Sequence, residues 1–325
     1  MTDSGQASNK FRRIFLRLAK VVLAVVVLAA VSSQLSEALG ELDKGALRFS
    51  PFYLVCSAFL YLSGMALFGD FWHLAVGRLG VEVGRLESQR AYFVSQLGKY
   101  VPGKAWVVLI RCGLTPRDRF PLSLVLVSSI YEALSVMGTA AAVAALAFLL
   151  IGGSPAQLAL LSAGTAGLLL LASHPPVFPR LVSWVSASVQ RDGSLRVPEL
   201  EWKVLFGSWY RFLGGWALVG LSILSAARGG GISFWGVQPF LLATGGIGLA
   251  VSGGFLLFLL PAGLGVREYI LLQVLSPSVG PAQAGLIAIV SRVVQIVAEL
   301  AAGGVFYAVG KAKINTHQPG NSRLQ

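Results

Sequence analysis

Ala91-Tyr-Phe-Val-Ser-Gln-Leu-Gly-Lys-Tyr-Val-Pro-Gly-Lys-Ala-Trp-Val-Val-Leu-Ile-Arg111 is apolar enough to enter a bilayer, yet Lys99, Pro102, Gly103 and Lys104 interrupt it midway. Arg78, Arg85 and Arg90 precede it, and Arg111, Arg117 and Arg119 close it. Short loops rich in Arg and Lys stay on the cytoplasmic side, so both ends of the segment are expected on one face of the membrane. The expectation is a re-entrant hairpin of two half-helices broken at Pro102-Gly103. Non-helical backbone at membrane depth survives only where protein buries it or where it lines a cavity. A break that also carries two lysines therefore marks a candidate binding site.

The rest of the chain supports a membrane setting. Of 325 residues, 55% are hydrophobic and 12% charged, with mean hydropathy +0.73. That charged fraction is about half that of a soluble domain. Apolar runs of about 20 residues, enough to cross a hydrocarbon core of roughly 30 Å, recur from end to end. The fold class expected is all-α: a polytopic integral membrane helix bundle of about seven or eight spans with two re-entrant, Pro/Gly-broken segments. The net charge of +12 falls mainly in short connections, so it sets topology and meets anionic lipid heads and implies no nucleic-acid partner. Cys56 and Cys112 give no disulfide framework, and His73, His174 and His317 are scattered, so no metal site is expected.

Residues 1–13 read as a cytoplasmic tail, 14–310 as one transmembrane domain and 311–325 as a second cytoplasmic tail. Spans are expected at about 14–35, 52–76, 121–151, 156–173, 204–226 and 282–309, with an amphipathic connection over 180–203. Because Lys311, Lys313 and Arg323 place the last end inside, residues 232–281 must start and finish outside. They contain Leu256-Phe-Leu-Leu-Pro-Ala-Gly-Leu-Gly-Val-Arg-Glu-Tyr269, a second broken segment. One full span plus a re-entrant piece, or a deep hairpin, satisfies the count, and two broken segments entering from opposite faces is the pattern of inverted-repeat transporters.

The chemistry expected at these breaks is anion binding. Proline suits the first position of a helix, and a half-helix starting near Pro102 turns its free N–H groups and positive dipole end toward a ligand. Lys99 and Lys104 strengthen that field, while Gly98 and Gly103 allow close approach. Pro261, Gly263, Gly265, Arg267 and Glu268 repeat the logic at the second break. Glu132 lies deep in a span, and Arg292, Gln295 and Glu299 share one helix face by their i, i+3, i+7 spacing. Intramembrane ionisable groups face a bundle interior or an aqueous path; pairing of Arg292 with Glu299 or Glu132 is the structural alternative to a role in transport. Asp70 and His73, one turn apart, read as interfacial. No nucleophile with an oriented base is apparent, so no catalytic residues are assigned, no enzyme activity is expected and no cofactor is implied.

Gly98-Lys-Tyr-Val-Pro-Gly-Lys-Ala-Trp106, followed by Arg111, resembles the G-K-Y-[IV]-P-G-K-x-W motif of the lysylphosphatidylglycerol synthase transmembrane region family, also called the flippase-like domain. Leu260-Pro-Ala-Gly-Leu-Gly-Val-Arg-Glu268 resembles that family's second motif, P-x-G-L-G-x-R-E. The resemblance extends over roughly residues 14 to 310. It implies a polytopic domain with two re-entrant segments, which in bifunctional relatives moves an aminoacylated phospholipid between leaflets while a separate soluble domain makes it. The expectation is a stand-alone member lacking that soluble domain, since the sequence stops soon after Lys313. Two departures stand out. The family often continues its third-span glutamate as E-R-x-x-D, whereas Glu132 is followed by Ala133, Leu134, Ser135 and Val136, and Ala262 stands where glycine is common.

The functional expectation is a flippase-like protein of a bacterial-type inner membrane that binds an anionic phospholipid or polyprenyl-phosphate headgroup. Gly98, Lys99, Tyr100, Pro102, Gly103, Lys104, Trp106 and Arg111 form the first site. Pro261, Gly263, Gly265, Arg267 and Glu268 form an opposing gate, and Glu132, Arg292, Gln295 and Glu299 line a polar path. A membrane enzyme or accessory subunit handling polyprenyl-phosphate lipids for a glycosyltransferase is the first alternative, and an ion-coupled small-solute transporter the second. A lipid-modifying synthase or glycosyltransferase is the expected protein partner; oligomeric state is not set by the sequence.

Overall fold

The computed structural model describes residues 49–100, 105–115, 121–151, 156–174, 176–189, 204, 207–256 and 265–316. The first expected span, the loop beyond it up to residue 48, the connection over 190–203 and both Pro-Gly breaks (101–104 and 257–264) lie outside the described residues. Among those described, every regular element is helical. In chain order they are α1 (Pro51–Arg78), α2 (Arg85–Gln96) with a 3-10 turn at Leu97–Tyr100, α3 (Ala105–Leu114), α4 (Leu122–Leu150), α5 (Ala156–Ala172), α6 (Phe178–Val189), α7 (Trp209–Gly229), α8 (Val237–Leu256), α9 (Val266–Val279) and α10 (Pro281–Thr316).

Five of these are long and apolar enough to cross a membrane: α1, α4, α7, α8 and residues 281–309 of α10. α5, with 17 residues, is a shorter apolar helix in the region expected to form the fourth span. Residues 232–281 contain one full-length apolar helix, α8, and the 14-residue α9. At 1.5 Å per residue α9 is only about 21 Å long, short of a hydrocarbon core. The first broken segment is likewise divided, into α2 with its 3-10 turn and the 10-residue α3.

The distribution of side chains is that of a bundle in lipid. On α10, Val293, Val297 and Leu300 are exposed, while Arg292, Gln295 and Glu299 are buried. In water that arrangement leaves apolar surface wet and charge in the core, both unfavourable. In lipid it is the stable one, since the polar face turns to the protein interior.

Small residues let the helices approach closely where no hydrophobic force separates lipid from protein. On the α1–α7 seam a Cβ at Gly64 would lie 2.8 Å from the Gly215 carbonyl oxygen, and Ser57 Oγ donates to the Ser222 carbonyl at 2.8 Å. On the α4–α8 seam a Cβ at Gly248 would stand 2.5 Å from the Ala140 oxygen. α7 also packs on α8, α8 on α9, and α9 on α10, while α10 contacts α1, α2 and α7. The short helix pair α2–α3 is thereby held between α1, α4 and α10, next to the polar face of α10.

Candidate functional site

The first motif is positioned by close packing of its own two halves. Gly98 is buried, and a Cβ there would lie 2.7 Å from both the Trp106 carbonyl carbon and the Val107 nitrogen. Only a residue without a side chain lets the start of α3 rest on the 3-10 turn. Phe93 of α2 stacks on Phe306 of α10 with ring centroids 5.1 Å apart. A Cβ on Gly303 would lie 2.7 Å from Leu97 Cδ1, so the hairpin is seated tightly on α10.

That seat brings four polar side chains together. Glu299, 2% exposed, accepts hydrogen bonds from Lys99 Nζ at 2.6 Å on Oε1 and from the Tyr100 hydroxyl at 2.7 Å on Oε2. The hydroxyl of Tyr61, on α1, also donates to Oε1. A buried carboxylate needs donors on both oxygens, and here α1 and the 3-10 turn supply them. Gln295, one turn before Glu299, is also buried, and its Nε2 has no hydrogen-bond partner among the described residues.

The second motif meets the same face. Gly265 has φ +84°, a conformation costly for any residue with a Cβ, and its N–H donates to Glu268 Oε2 at 2.8 Å. Glu268 thus caps the start of α9 with one oxygen while its other lies 3.3 Å from Arg292 Nε. Arg267 is partly buried and close enough to Tyr61, Glu268, Arg292 and Glu299 to interact with each electrostatically. No hydrogen bond or ion pair of Arg267 falls among the described residues. Lys99, Arg267 and Arg292 face Glu268 and Glu299 here, three positive charges against two negative.

Two pairings differ from the structural alternative read in the sequence. Arg292 pairs with Glu268, and seven residues of helix put Arg292 and Glu299 about 10.5 Å apart along the axis. Glu132 pairs with Arg111, whose Nη1 donates to its Oε2 at 3.0 Å and to Ser129 Oγ at 3.1 Å. Arg111 is 0% exposed. Its Nε donates to Ser95 Oγ at 3.0 Å, and the guanidinium lies 4.6 Å from the Trp72 ring centroid and 5.3 Å from that of Tyr92. Arg111, grouped in the sequence with the phosphate-attracting residues, ties α1, α2, α3 and α4 together, and Glu132 matches its charge.

Trp106 is 44% exposed. Pro102, Gly103, Lys104, Pro261 and Gly263 lie outside the described residues. At the far end of α1, Asp70 is held by Arg85 and by Gln89 Nε2 at 2.7 Å, and His73 Nδ1 lies 2.9 Å from Ser88 Oγ. This second polar knot fixes the α1–α2 corner. Tyr61 is the residue of this cluster that sequence reasoning missed: it carried no signal beyond its place in an apolar span.

The family model described as lysylphosphatidylglycerol synthase TM region matches residues 17–303 of the chain. No curated protein matches the sequence.

Proposed function

As this chain belongs to the lysylphosphatidylglycerol synthase TM region family, an integral membrane family with a lipid-related role, we propose that it binds an anionic lipid headgroup where its two broken segments meet and helps that headgroup cross the bilayer. The observation that carries this reading is the meeting of Lys99, Arg267 and Arg292 with two carboxylates, leaving one positive charge in excess among the described residues. Lysine and arginine at such a face meet a phosphate through charge-assisted hydrogen bonds. An excess of one positive charge favours a singly charged phosphodiester over a zwitterionic or cationic headgroup. Arg267 is the first contact because no protein carboxylate bonds it among the described residues. Gln295 Nε2 is a further donor on the same helix face as Glu299. Lys104, in the same sequence motif, is a further cation of the proposed site.

Arg111, Glu132 and Ser95 serve this site by holding the hairpin in place, without touching the lipid. The protein acts as a transporter and not as an enzyme in this reading. Its basic corner between α1 and α2 faces the cytoplasm, as do both termini, in a bacterial-type inner membrane. Movement of the lipid is downhill, ion-coupled or driven by a partner.

The test is reconstitution into vesicles of phosphatidylcholine and phosphatidylglycerol carrying a headgroup-accessible fluorescent phosphatidylglycerol, with external quencher added after equilibration. The wild-type protein is expected to expose inner-leaflet probe to quencher, and Arg267→Ala to abolish that exposure. Equal probe exposure with the variant and the wild type, or none with either, would contradict the proposal.

A further inference from the structure

Glu299 is the centre of the site, yet it has the wrong sign for a group that binds a phosphate. It sits 2% exposed, with donors from Tyr61, Lys99 and Tyr100 converging on its two oxygens. Those donors come from two separate parts of the chain: Tyr61 from α1, and Lys99 and Tyr100 from the 3-10 turn of the hairpin. One ammonium and two hydroxyls aimed at a pair of oxygens is also the donor set that a phosphodiester's two free oxygens require. The same surroundings hold Arg267, without an ion pair among the described residues, and the unpartnered Gln295 Nε2. The cluster is therefore saturated with donors at Glu299 and unsatisfied immediately around it.

We infer that the Glu299 carboxylate is a built-in stand-in for the lipid phosphate: it occupies the headgroup's donors in the empty protein, and an incoming phosphodiester takes Lys99 and Tyr100 from it. This deepens the headgroup-binding reading above and rests on it. The exchange replaces one anion by another at the same ammonium, so Lys99 is never left buried without a counter-charge, a state that costs far more than either pairing. Tyr61 stays with Glu299 because both belong to long spanning helices, so the carboxylate keeps one donor when the hairpin lets go. The contacts that must yield are those between hairpin and α10: the Lys99–Glu299 pair, the Phe93–Phe306 stack and the seat of Leu97 on Gly303. The described conformation is then the self-occupied, closed one. Glu299 sets selectivity as well as closure, since only a ligand carrying an anion at that depth competes with it.

Competition between two ligands for one site appears as a coupling factor in affinity, commonly about fivefold or more. The test measures phosphatidylglycerol binding, by native mass spectrometry titration against phosphatidylcholine, to wild type, Glu299→Gln and Glu299→Asp. Glutamine keeps the shape and loses the charge; aspartate keeps the charge and draws it back from Lys99. Glu299→Gln is expected to bind phosphatidylglycerol about fivefold or more tightly than wild type, with Glu299→Asp between the two and phosphatidylcholine binding unchanged. Binding no tighter than wild type in either folded variant overturns the inference. Failure of both variants to fold does so as well, because a carboxylate that the fold cannot release is a structural partner of Lys99. If wild type itself binds no phosphatidylglycerol in preference to phosphatidylcholine, the headgroup-binding reading fails, and this inference with it. The two failures are thus told apart by the wild-type titration.

Discussion

Arg111 and Lys99 are both cations within the first broken segment, but their surroundings give them different work. Arg111 is fully buried, donates to Ser95, Ser129 and Glu132, and is flanked by the rings of Trp72 and Tyr92. Removing one partner of a buried ion pair leaves the other uncompensated and costs about 3–5 kcal/mol. Arg111→Ala should therefore lower stability by roughly that amount, and the double replacement Arg111→Met/Glu132→Leu should recover much of the loss; thermal unfolding in detergent measures both. An unchanged melting temperature for Arg111→Ala would refute the structural role. The Lys99 side chain, by contrast, is 20% exposed, so its loss should weaken lipid binding more than folding. Spacing along one helix placed Arg292, Gln295 and Glu299 on a common face, and all three are buried together. Spacing could not identify their partners. Lys99 and Tyr100 meet the Glu299 carboxylate across 200 and 199 positions of sequence, and helix periodicity says nothing about which helix lies opposite.

Elements are governed by where the backbone breaks and what then holds the pieces. The Pro-Gly interruptions were legible because few other residue types stop an apolar helix. The described helices on either side of them are α2 with its 3-10 turn and α3 for the first, and α8 and α9 for the second. The cap on α9 was half legible: glutamate three residues after a small residue is a helix-start signature, but the positive φ of Gly265 is a conformational fact. Gly265→Ala keeps Glu268 yet forces a Cβ into that conformation, at about 1–2 kcal/mol. It should lower the melting temperature and loosen Arg292 through Glu268, weakening lipid retention less than Arg267→Ala does. A variant as stable as wild type would show that α9 does not depend on this turn. The hairpin's seat on α10 was not legible, because Gly303 and Gly304 look alike in sequence. A Cβ on Gly303 would press on Leu97, whereas one on Gly304 meets nothing within 4 Å.

For the whole molecule, composition decided the setting, and the exposed valines and leucines on the outside of α10 agree with it. Span parity was harder to read, because it depends on helices such as α5 that are close to the length limit. The bundle nonetheless fixes which corners share an end. The Ser50 N–H donates to the Gly229 carbonyl at 2.9 Å, and Arg228 lies over the Tyr53 and Trp235 rings. The starts of α1 and α8 and the end of α7 are thus together. The α1–α2 corner is 28 residues of helix away, about 42 Å. In a background with Cys56 and Cys112 replaced by serine, Trp235→Cys should react with an impermeant maleimide in intact cells. Leu86→Cys should react only after permeabilisation. Both side chains are exposed, so the reverse pattern would invert the proposed orientation.

The central claim is that Lys99 and its neighbours hold an anionic lipid, and native mass spectrometry of the gently extracted protein beside a Lys99→Ala/Lys104→Ala variant tests it most directly. The account predicts an anionic phospholipid retained by wild type and lost from the variant. The same lipid on both, or on neither, would contradict it.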